Sequence, residues 1–107
     1  MKNLSLMLLF AAIFTASTAT AAPTLNSYPT ATATLYLDFD GHDVTSSMWN
    51  YGTPFSCLPA VMTDAQITEA FNRVAEDFRP FNINVTTDLA KFLASPISQR
   101  IRVVVTP

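Results

Sequence analysis

Asp38, Asp40, His42 and Cys57 are the residues of this chain whose types could do chemistry. The first three fall in TLYLDFDGHDV, residues 34–44, where an apolar run delivers two carboxylates, a glycine and the only histidine. A strand ending in Asp-x-Asp-Gly can present both carboxylates at the carboxyl edge of a parallel sheet, where open α/β sheets bind ligands. Cys57 is the single cysteine. As a nucleophile it would need an activating base, and His42 is the available one. Otherwise it is a free thiol, or its partner lies outside this chain. A Ser-His-Asp set would also have to use His42, and no Gly-x-Ser-x-Gly turn supports it. Zinc takes three or four protein ligands, more than one His and one Cys can supply. The residues by themselves therefore assign no catalytic, metal or cofactor position.

The elements that must position these residues can be read from pattern. Leu35 to Phe39 is a short apolar and aromatic run stopped by Asp40-Gly41, which predicts a strand entering a turn. Residues 43–62 show no helical period and carry Gly52, Pro54 and Pro59, so they read as a long irregular loop. Thr63 and Gln66 form a capping box, with Asp64 near the positive end of the helix dipole. Ile67, Ala70, Phe71, Val74, Ala75 and Phe78 then make one apolar stripe, and Pro80 ends the helix. Residues 81–87 alternate and predict a second strand. Asp88 is placed to cap a short helix through Leu93, and residues 100–106 read as a third strand. Strands alternating with helices predict an α/β fold: a partial, mostly parallel three-stranded sheet with one long helix. The Asn84-Val85-Thr86 sequon lies inside a predicted strand and is read as chance.

The ends of the chain carry a different message. Lys2 precedes an apolar run, Leu4 to Phe14, and Ala19-Thr20-Ala21 fits a small-x-small cleavage pattern. This is the layout of a secretory signal peptide over residues 1–21, with cleavage after Ala21 and a secreted or periplasmic location. The run is shorter than the roughly 20 residues of a membrane span. Residues 22–33, rich in Thr, Ala, Pro and Ser, read as a flexible leader, and 34–107 as the folded part. The net charge of −2, one unit more negative without Lys2, gives no reason to expect nucleic acid or an anionic membrane as partner. The first and third strands look apolar on both faces, yet one substantial helix is available to cover them. The expectation is an incomplete domain, or a partner that covers the exposed sheet face.

Three resemblances follow from these residues. LYLDFDG resembles the motif of haloacid-dehalogenase-like phosphatases, which would make Asp38 a nucleophile and Asp40 a general acid, with Thr106 as phosphate contact. His42 stands where that family has Thr. The Asp-x-Asp-Gly run also resembles part of an EF-hand calcium loop, with Asp38, Asp40 and Asp43 as oxygen ligands. That loop requires Glu at its twelfth position, which here is Trp49. The most extensive resemblance joins LYLDFDGHDV, Trp49, ITEAFNRVAEDFRPFNINVTTD and RIRVVVTP. In that order they look like the N-terminal half of secreted bacterial zinc metallopeptidases of metzincin-like type, and Val74 to Asp88 is the most specific stretch. The resemblance implies a scaffold in which Asp38 and Asp40 end a strand and satisfy turn donors. It implies zinc and a peptide substrate for a full-length member. It transfers no catalytic or metal residue, because the His-Glu-x-x-His signature is absent from residues 1–107. A small secreted binding module is the non-enzymatic alternative.

Overall fold

A computed structural model describes residues 22–45 and 48–107. The predicted signal segment, 1–21, lies outside the described residues. The elements are β1 (Ala33–Asp38), β2 (His42–Val44), a 3₁₀ turn (Trp49–Gly52), β3 (Phe55–Cys57), α1 (Asp64–Asp77), β4 (Ile83–Thr86), α2 (Leu89–Ala94), a second 3₁₀ turn (Ile97–Gln99) and β5 (Arg100–Val104). The fold is mixed α/β. A three-stranded sheet has the order β4-β1-β5, and both pairings are parallel.

The sheet has two differently built faces. Leu37 and Val85 pack with Phe39 against Ile67 and Phe71 of α1, forming the buried apolar cluster. The stripe on α1 is what reaches this face, and burying each such side chain is worth about 1.5–3 kcal/mol. The capping box starts α1 as predicted: the Gln66 N–H donates to Thr63 Oγ1, and the Thr63 N–H donates to Gln66 Oε1. The opposite face carries Thr34, Tyr36, Asp38, Asn84 and Thr86, all buried. Here α2, capped by Asp88, sets Phe92 against Tyr36 with ring centroids 5.3 Å apart. The Thr34 and Ser95 hydroxyls bond each other beneath it.

Two segments differ from the sequence reading. Within residues 43–62, read as irregular loop, β2 and β3 form a short antiparallel ladder with His42 opposite Cys57 and Val44 opposite Phe55. Three-residue strands are too short for alternation to register. Gly41 opens this hairpin at φ +83°, and a Cβ there would lie 2.8 Å from the Cys57 carbonyl oxygen. Both the left-handed backbone and the close approach demand glycine. The second difference lies in residues 23–28, part of the predicted leader. They run antiparallel along the outer edge of β4, with an Asn26–Thr86 bridge and backbone N–H donations from Ser27 to the Val85 carbonyl and from Thr87 to the Leu25 carbonyl. Side chains reinforce the contact. Asn84 accepts from the Tyr28 N–H and donates to Asn26 Oδ1, while Thr86 Oγ1 donates to Asn26 Oδ1. These bonds leave Asn84 only 1% exposed, so its sequon has no access for a glycan.

Candidate functional site

The carboxyl end of β1 is where the singled-out residues collect. Asp38 is the last residue of the strand and 3% exposed. Its side chain lies on the α2 face because residues 34, 36 and 38 alternate away from the α1 core. One oxygen accepts the Asp40 N–H at 3.0 Å. The other lies 3.4 Å from Nε of Arg102, a charge contact in which Nε itself forms no hydrogen bond. Asp40 is exposed on the turn.

Arg102 organises the rest. Its Nη1 lies 2.8 Å from His42 Nδ1 and 2.9 Å from Nε2. Arginine has no acceptor, so the imidazole nitrogen must accept in this contact. The guanidinium carbon stands 5.5 Å from the Tyr36 ring centroid and 5.0 Å from that of Phe92, within cation–π range. Tyr36 has its phenol pKa raised, first by burial and then by the nearby Asp38 and Asp40 carboxylates.

His42 and Cys57 meet. They face each other in the β2–β3 ladder and line the same groove with Arg102, Val44, Trp49, Phe55, Val103 and Val104. The groove encloses about 600 Å³. Asp43 is turned elsewhere and accepts from Ser56 Oγ at 2.7 Å. Thr106, past the end of β5, is exposed. Of the three carboxylates of the calcium alternative, Asp38 and Asp43 thus have separate partners, and Asp40 is exposed on the turn. Among the described residues no group of three or more His, Cys, Asp or Glu is placed to hold a metal ion. Nor do the residues here fit the zinc that the peptidase resemblance implies, since the one imidazole is taken up by Arg102. No step through zinc is derived from these residues.

Sequence reasoning missed Arg102, Tyr36 and Phe92 as parts of this cluster. The available signal was two arginines at alternate positions in RIRVVV, a polar face inside an otherwise apolar strand. Register alone reveals their partner: Tyr36 pairs with Arg102 across β1 and β5, which brings the guanidinium beside Asp38. Comparison with family models, with curated proteins and with solved structures finds no match.

Proposed function

We propose that this chain is the N-terminal α/β scaffold of an exported zinc-dependent metallopeptidase, with metal binding and peptide-bond hydrolysis carried by residues outside 1–107. In this reading residues 1–21 are a signal peptide cleaved after Ala21, and the substrate of the whole protein is a peptide. The observation that carries it is the state of Asp38. A nucleophilic carboxylate must reach its substrate, but Asp38 is buried with one oxygen on the Asp40 amide and the other facing Arg102. That is the strand-ending, turn-satisfying role the peptidase resemblance implies. It disfavours a phosphatase built on Asp38 and Asp40.

The test is the intact mass of the native protein in the medium or periplasm of its source cells. The expected result is a mass of several tens of kDa, with peptides extending past Pro107 and containing His-Glu-x-x-His. A native protein whose mass matches residues 22–107 alone would overturn the reading and leave a small binding module.

A further inference from the structure

Arg102 of β5 stands where three other elements meet. On β1, Asp38 Oδ2 lies 3.4 Å from its Nε, and the Tyr36 ring centroid lies 5.5 Å from its guanidinium carbon. The Phe92 ring of α2 is 5.0 Å from the same carbon. On the remaining side is His42 of β2, with Nδ1 2.8 Å and Nε2 2.9 Å from Nη1. The first contacts hold Arg102 to the sheet and its helix. The last joins the β2–β3 hairpin to β5. Between hairpin and strand lies the groove of about 600 Å³, with Val44, Phe55 and Cys57 on one side and Val103 and Val104 on the other.

We propose that the His42–Arg102 contact is a pH-sensitive latch: a neutral imidazole holds the β2–β3 hairpin against β5, and its protonation releases the hairpin and opens the groove. The chemistry of the two side chains sets the direction. A guanidinium keeps its protons throughout the physiological range and offers no acceptor. The imidazole nitrogen facing it must accept, which requires the neutral ring. A protonated ring carries a hydrogen on both nitrogens, so the hydrogen bond is lost and a second positive charge stands beside the first. Histidine is the side chain that makes this change between about pH 5 and pH 8.

The surrounding charges do not offset the repulsion. Asp38 of β1 spends one oxygen on the Asp40 N–H and turns the other to Arg102. Asp40 is exposed on the turn. Asp43, on the hairpin itself, accepts from Ser56 Oγ. Cys57 stands opposite His42 on β3, and acid can only remove negative charge from it. Tyr36 stays neutral, its phenol pKa raised by burial first. Repulsion moves the hairpin rather than Arg102, because Asp38 and two rings hold the guanidinium in place. The hairpin strands have three residues each, and a two-stranded hairpin without support is marginal in water. The Ala60 N–H, bonded to the Phe39 carbonyl, marks the pivot at its base. Off β5, the hairpin frays.

Amide exchange in the full chain at about pH 8 and about pH 5, corrected for the intrinsic effect of pH, tests the latch. Protection in residues 42–44 and 55–57 is expected to fall at least tenfold at the lower pH, while α1 amides keep theirs. His42→Gln supplies an uncharged acceptor at both pH values and should keep the hairpin protected at both. His42→Lys is charged at both and should leave it unprotected at both. A hairpin equally protected at the two pH values in the unmodified chain would overturn the proposal, whether or not the variants fold. So would an equal loss in His42→Gln, which would assign the change to other groups. An equal loss in α1 would also overturn it, because the whole chain would then be unfolding. The peptidase reading does not enter this test and is decided separately by the intact mass.

Discussion

Asp38 holds two elements together with one side chain. It shapes its own turn through the Asp40 amide and faces Arg102 of β5 across the sheet register. Removing its charge leaves the guanidinium beside a neutral group. Asp38→Asn is expected to lower stability by about 1–3 kcal/mol, the usual range when a buried polar partner is left wanting. A shift of the urea midpoint reads this directly, and no shift would show that the contact carries no stability. Tyr36 makes a second prediction. Its pKa is raised in the folded chain, by burial first and the carboxylates second. The folded state therefore holds the phenol proton more tightly than the unfolded state. The resulting stability is complete below the unfolded value of about 10 and is lost as pH rises from there through the folded value. Urea midpoints should fall between about pH 10 and the folded value, and Tyr36→Phe should remove the tyrosine part of that fall. An identical slope in the variant would contradict the assignment.

Among the elements, the least expected is the 23–28 segment on β4. An open edge exposes backbone donors and acceptors, and this segment meets them with main chain and with Asn26, Ser27, Asn84, Thr86 and Thr87 together. Asn84 is the buried hinge of that network, serving Tyr28 and Asn26 from its two amide atoms. Asn84→Ala is expected to cost about 1–2 kcal/mol, and the loss should be local. Amide exchange at Ser27 and Thr87 should quicken at least tenfold while exchange at α1 amides stays unchanged. Equal acceleration in α1 would mean that the segment and the core unfold as one unit.

For the molecule as a whole, the imbalance between the two sides of β1 decides behaviour. α1 packs on Leu37 of β1 and Val85 of β4, while Ile101 and Val103 of β5 remain exposed. Trp49 at the groove adds to this apolar surface. A chain with such a surface should bind a hydrophobic dye in its folded state. Val103→Lys should reduce the dye signal at least twofold without changing the circular dichroism spectrum. A dye-negative chain before mutation would show that this surface is already covered. Among the described residues no helix is long and apolar enough to cross a membrane.

Local physics made much of the fold legible in the residues themselves. The Thr63–Gln66 box, the α1 stripe and Pro80 act within a few positions of one another, so α1 could be read closely. The strand runs at Leu35 to Phe39 and at residues 81–87, and the short helix capped by Asp88, were legible for the same reason, as was the parallel order from the alternation of elements. What only the tertiary structure decided depends on contacts between distant residues. Asp38 meets Arg102, and Arg102 meets His42, through the register of β1 on β5. His42 meets Cys57 through a ladder whose strands are too short to leave a period. Residues 23–28 pair with β4 through bonds that span nearly sixty positions and follow no pattern in either segment. An amino-acid sequence records propensity along the chain. Which side chains become neighbours across it is settled by packing and register.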